Sequence, residues 1–290
     1  MRMADVQALR RPLALGQRPA PPANQTDREL MDRFLRQQDE TAFAALVQRH
    51  GPMVLGLCRR ILAHEQDAED AFQATFLILV RRAGTIENPD LLGSWLYGVA
   101  YRTARKARAQ AARRREQERQ VASVTAAEEP PVDHAWRELR SALDDELNRL
   151  PEKYRLPLVL CYLQGLTNEE AARRLGWPPG SMSYRLARGR EMLRDRMQGR
   201  DREASAGFFA LVLALRPEGG SLPGHLVDAT VQAGVAGGQA GVVSGKVAAL
   251  VDATLRGMTA ARRKLLHTLL ILLGALAVSV AATVFLSIKT

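Results

Sequence analysis

The chain has 290 residues, 47% of them apolar, which suffices for two ordinary domains with sizeable cores and some extension. Its formal charge of +10 favours a polyanionic partner, either nucleic acid or an anionic membrane face. The two cysteines, Cys58 and Cys161, form no CxxC pair and have no histidine at ligand spacing, so a disulfide framework and a zinc site are excluded and core thiols of a reducing cytosol are expected.

Residues 1–26 are rich in Pro, Arg and Gln without periodicity and are expected to be disordered. They do not read as a secretory signal, because the apolar stretch at 13–15 is too short. From 27 to 120 helical periods dominate. Phe34, Phe43, Leu46, Val47, Val54, Leu57 and Ile61 suit helices that bury one face, and Ala68, Phe72, Thr75, Phe76 and Leu79 make a second stripe. A loop with Gly84, Asn88, Pro89 and Gly93 precedes a third helical run that ends in a cluster of arginines. Strand alternation is missing, so this part reads as an all-α domain.

Residues 121–134 lose periodicity and contain a Pro pair, the pattern of a linker. Helical pattern returns over 135–202 with breaks at Pro151, Gly165 and Gly176–Gly180, giving a second, smaller all-α domain of about four helices. In "LTNEEAARRLGWPPGSMSYRLARGREMLR" (166–194), Thr167 and Glu170 form a capping-box pattern. Gly176 suits a left-handed turn, and Pro178 and Pro179 suit the start of the next helix. Met182, Leu186, Gly189 and Leu193 share one face of that helix, while Ser181, Ser183, Tyr184, Arg185 and Arg188 point elsewhere. This is a helix-turn-helix pattern whose second helix offers polar side chains to a major groove. A helical hairpin with a solvated basic face is the alternative.

Residues 203–264 are rich in Ala, Gly and Val, and the pentapeptide "LVDAT" occurs at 226–230 and again at 250–254. A repeat and a shared helix composition both account for it. Val243, Val247, Leu250, Leu255 and Met258 suit one side of a helix. Residues 265–288 carry no formal charge, and as a helix they would span roughly 36 Å, so a transmembrane helix is expected there. The basic flank at Arg262, Arg263 and Lys264 places the preceding residues in the cytoplasm, with the protein on the cytoplasmic face of the cell membrane as a single-pass species and the inner membrane as a partner.

The stretch "DAEDAFQATFLIL" (67–79), the stretch "GSWLYGVAYRTARKARAQ" (93–110) and the segment from Leu150 to Arg194 stand in this order along the chain. Together they make the chain resemble an extracytoplasmic-function sigma factor of the sigma-70 family, over roughly residues 27–200. The resemblance implies a region 2 domain at 27–120 and a helix-turn-helix region 4 domain at 135–202, joined by a flexible linker. It implies core RNA polymerase and promoter DNA as partners, and an anti-sigma factor as a further one. Asp70, Gln73, Phe76 and Leu77 would dock on the coiled coil of the polymerase clamp. Arg102, Arg105 and Lys106 would bind phosphates of the minus-ten element, with Asn88 and Asp90 beside a flipped base. Ser181, Ser183, Tyr184, Arg185, Arg188 and Arg190 would read the minus-thirty-five element.

Two departures limit the transfer. Arg102 stands where the family often has Asn, and Ser183 and Tyr184 stand where a basic and then a small residue are usual, so promoter preference does not carry over. The histidines are scattered and no Gly-rich phosphate loop follows a strand; no metal, cofactor or catalytic group is expected, and the protein reads as a non-enzyme. The rivals are a helix-turn-helix regulator that never enters the polymerase and a membrane signalling adaptor.

Overall fold

The computed structural model describes residues 25–121, 131–198, 222–237 and 243–260. The expected disordered N-terminus lies outside these residues except at its last two positions, as does most of the expected linker.

Helices α1 (Asp27–Gln37), α2 (Glu40–Ile61), α3 (Glu65–Arg82) and α4 (Leu92–Val121) form the first group. The start of α1 follows from chemistry local to the chain: Thr26 accepts from the Glu29 amide, and Glu29 answers to the Thr26 amide. Each such cap stabilises a helix by about 1 kcal/mol. Gln38 takes a left-handed φ of 52°, and Asp39 then caps α2 through the amides of Thr41 and Ala42. The core is aromatic at its centre. Phe34 stacks on Phe43 at 4.8 Å, Phe43 meets Phe76 edge-on at 6.4 Å, and Phe72 lies 5.0 Å from Phe76. Rings arranged like these add about 0.5–1.5 kcal/mol per pair beyond their burial.

The second group is α5 (Pro131–Arg149), α6 (Glu152–Leu158) running into a π-turn at Val159–Leu163, α7 (Asn168–Leu175) and α8 (Pro179–Gln198). It does not stand apart from the first. Leu143, Leu147, Leu150, Leu158 and Leu163 join one continuous apolar core with α2, α3 and α4. Cys58, as the sequence suggests, is a buried free thiol, whose pKa burial pushes up to about 12.

Two further helices come from the Ala/Gly/Val-rich segment: α9 (Gly224–Val235) and α10 (residues 245–260). Both lie on the first group, with Leu226, Val227, Val231, Val247, Leu250 and Val251 buried in the same core.

The expected transmembrane helix requires a correction. Among the described residues no helix is long and apolar enough to cross a membrane, and the stretch 265–288 lies outside them. The fold is therefore all-α without an assigned membrane span, and the single-pass location and the membrane as partner, which rested on that span, are withdrawn with it. The physical reason lies in how apolar residues are used in the helices described. They are interrupted by charged residues, as in α10, where Val247 and Val251 are buried while Lys246, Asp252 and Arg256 stay at the surface.

Candidate polymerase and nucleic-acid interface

Asp70, Gln73, Phe76 and Leu77 all lie on α3, but the structure does not present them together. Phe76 is wholly buried in the aromatic cluster. Asp70 and Leu77 are also buried, and Gln73 is half-buried. At a turn of 3.6 residues, Asp67, Asp70, Ala74, Leu77 and Arg81 form one stripe along the helix, and Phe76 faces away from it.

The loop before α4 is fixed by side chains. Asn88 caps the short 3-10 turn Pro89–Leu91 by accepting from the Asp90 amide. Asp90 Oδ2 lies 2.6 Å from Arg28 Nη2, which also reaches Asn88 at 3.4 Å. Sequence reasoning missed Arg28, which ties this loop to α1; no local pattern marks a partner sixty residues away.

On α4, Arg102 is exposed, and its guanidinium pKa is lowered by burial of its surroundings and by the nearby Arg155 charge. Exposure of the side chain and desolvation of its neighbourhood describe a cation at the rim of a packed surface. Arg105 is turned back to Asp145, with its Nη1 2.9 Å from Oδ2, and lies 6.0 Å from the Tyr101 ring. Lys106 donates to the carbonyl of Ala253 on α10, and burial followed by the Arg256 charge lowers its pKa.

The helix-turn-helix is assembled by short-range signals. Thr167 and Glu170 make the reciprocal cap of α7, Gly176 ends the helix at φ 64°, and α8 starts at Pro179. Met182 packs with Leu160, Ala171 and Ala172 in a small separate core. Gly189 lets α8 approach α6 closely; a methyl group there would stand 2.9 Å from the Tyr154 carbonyl oxygen. The opposite face is open. Ser183, Tyr184 and Arg188 are exposed, and Tyr184, at 67%, is a large apolar group left to solvent.

Ser181, Arg185 and Arg190 are less free. The Arg185 guanidinium lies 3.9 Å from the centre of the Trp177 ring, close enough for a cation–π contact. Arg190 donates to the Tyr162 hydroxyl at 3.3 Å, and Arg188 pairs with Glu191 one turn on. Trp177 was legible as part of the corner, but not as the plate that orients Arg185.

These features define a two-part helical protein with a basic α4 and a helix-turn-helix whose second helix shows its polar face to solvent. Two family models match the chain: sigma-70 region 2 over residues 46–114 and sigma-70 region 4 over residues 140–193. It is 31% identical to RNA polymerase sigma-H factor of Pseudomonas aeruginosa over 192 residues, covering 61% of this chain and 97% of that relative. It is 34% identical to RNA polymerase sigma factor CarQ of Myxococcus xanthus, covering 57% of this chain and 94% of that relative. It is 28% identical to the ECF RNA polymerase sigma-E factor of Haemophilus influenzae, covering 60% and 96%.

The chain belongs to the sigma-70 family and is a sigma factor of the extracytoplasmic-function type. Such a factor is an initiation subunit, not an enzyme: it binds core RNA polymerase and directs it to promoter DNA. The match to region 2 removes the rival reading of a regulator that never enters the polymerase.

Proposed function

We propose that this sigma factor divides its work between residues 27–120, which hold polymerase and the minus-ten element, and residues 135–202, which read the minus-thirty-five element. The observation that carries the second assignment is the exposed trio Ser183, Tyr184 and Arg188 on the first turns of α8, braced by a capped α7 and a left-handed turn at Gly176. Arg can pair bidentately with guanine, and Tyr and Ser can reach bases or phosphates. Ser181, Arg185 and Arg190 flank the trio and would orient it or bind backbone.

For the minus-ten element, Arg102 at the rim of α4 is the best-placed cation. Arg105 would have to exchange its Asp145 partner, and Lys106 its Ala253 carbonyl, for DNA phosphate. Asn88 and Asp90, held by Arg28, would border the pocket for an unstacked base. The α3 stripe around Asp70 and Leu77, with Gln73 at its edge, would meet the polymerase clamp, and Phe76 would support it from the core. An anti-sigma partner rests on the family alone and has no residues assigned to it.

The test is run-off transcription with purified core polymerase on a selected promoter, together with polymerase titrations. Initiation should start at one position, and Asp70→Lys with Gln73→Ala should weaken core binding while the helical content is kept. Unchanged core affinity would remove the α3 assignment, and unchanged promoter choice after Tyr184→Ala would remove the α8 assignment.

A further inference from the structure

We propose that α9 and α10 form a displaceable cap, carried by the chain itself, over the polymerase-binding stripe of α3. The proposal rests on the assignment of that stripe made above, and it goes beyond it by naming what covers the stripe in the free protein. Both helices lie beyond the two family matches, which end at residues 114 and 193.

Three ion pairs place α10 along the stripe. At one end Lys246 Nζ lies 3.0 Å from Asp67 Oδ1 and 3.5 Å from Asp70 Oδ2. At the other end Asp252 Oδ1 lies 2.8 Å from Arg81 Nη1. Ala74 and Leu77, between those ends on the same face, are buried. Asp70, a carboxylate assigned to the partner protein, is thus already paired from within, and Leu77 is already out of solvent.

The doubled pentapeptide explains how the cap is held. In the first copy Leu226, Val227 and Thr230 are buried; in the second Leu250, Val251 and Thr254 are buried. Positions one, two and five of each copy make the same narrow stripe on their helices. The two copies therefore do the same packing job on α9 and α10. Close approach is part of it: Gly234 of α9 lies against the Phe43 ring, where a methyl group would collide. The Asp of the second copy is the partner of Arg81.

The polar contacts are weak by comparison. Lys246 is 49% exposed and Asp252 is 53% exposed, so solvent screens these pairs and they set register more than strength. Such a contact suits exchange, since polymerase could replace both the apolar cover and the charge pairing. The cap also follows α8 in the chain, beyond both family-matched parts. Its release would also free Lys106 from the Ala253 carbonyl, so one event would expose the polymerase face and a cation assigned to promoter DNA.

Hydrogen exchange on the full chain, with and without purified core RNA polymerase, tests the cap directly. Binding should speed amide exchange in 224–235 and 245–260 at least about tenfold as the helices lose their packing. Helices that stay protected in the complex would overturn the proposal. A photo-crosslinker at position 73 tests the underlying assignment separately. Crosslinking to polymerase with an unmoved cap sinks the cap alone, whereas a complex without the crosslink sinks the α3 assignment. The full chain carrying Lys246→Glu and Val251→Asp should bind core polymerase about tenfold more tightly, the gain expected if the cap is closed nine-tenths of the time. Equal affinity, in a variant whose α9 and α10 amides exchange freely and whose α1–α8 amides do not, would also overturn it.

Discussion

Asp144 of α5 stands 2.8 Å from Arg60 Nε of α2, and both side chains are buried, at 0% and 8% exposure. Tyr97 of α4 donates to the other carboxylate oxygen at 2.8 Å. Burial first, and then the Asp144 charge, push the Tyr97 phenol well above its usual range, so it remains a donor. One carboxylate thus links the region 4 group to two helices of the region 2 group. Taking two charges out of water is expensive, and here the attraction plus the added hydrogen bonds must offset that cost.

Replacing Asp144 by Ala should destabilise the chain by about 3 kcal/mol, because a buried guanidinium loses a carboxylate partner. Pairing Asp144→Leu with Arg60→Met should recover part of that loss, since apolar residues of similar volume avoid desolvation of the charge pair while the Tyr97 hydroxyl still loses its acceptor. Urea unfolding of the single and double variants decides it. A double variant as unstable as the single one would show that the link is more than an ion pair.

Gly189→Ala should destabilise α6 against α8 by about 1–3 kcal/mol. Alanine is the better helix former by about 1 kcal/mol. That gain is outweighed because the new methyl would press on the backbone carbonyl of Tyr154, which cannot rotate away. Thermal unfolding should show a lowered midpoint, and a raised one would mean the helices part easily.

Acid should cost stability through Asp27. Burial on its own would raise this carboxyl, but His50 and Arg49 outweigh it and hold the pKa at about 2, against an ordinary 3.8. A depressed carboxyl contributes stability above its unfolded pKa and loses it as pH falls through the folded one. The window is therefore about pH 4 down to 2, with a contribution of about 2 kcal/mol above it. Asp27→Asn should flatten the stability profile in that window, as read from urea midpoints at several pH values. A profile with unchanged slope would count against the pairing.

Promoter binding should separate the two kinds of contact on α8. Arg188→Ala should cost about 1–3 kcal/mol and relax preference at one base position if the side chain reads a base. Tyr184→Ala should act at a neighbouring position. Anisotropy titrations over a set of promoter variants and salt concentrations provide the readout. A uniform loss with a salt slope smaller by about one would reassign Arg188 to phosphate.

The sequence by itself determined what depends on near neighbours in the chain. The cap at Thr167, the left-handed turn at Gly176, and the apolar stripe through Phe72 and Leu79 were legible because hydrogen bonds and helical periods act over three or four residues. The family could be read for the same reason, from motifs that are local strings. Tertiary structure alone decided which of two exposed-looking faces was covered. The stripe holding Asp70 and Leu77 reads as a free mixed face, yet Lys246 and Asp252 close it from about 170 residues away. No periodicity in α3 records that neighbour, because burial by a distant segment leaves no mark on the spacing of the residues it covers. The same holds for Asp144 with Arg60 and for Arg28 with Asp90. Each polar residue would be equally at home in solvent, and only the packed chain selects its partner.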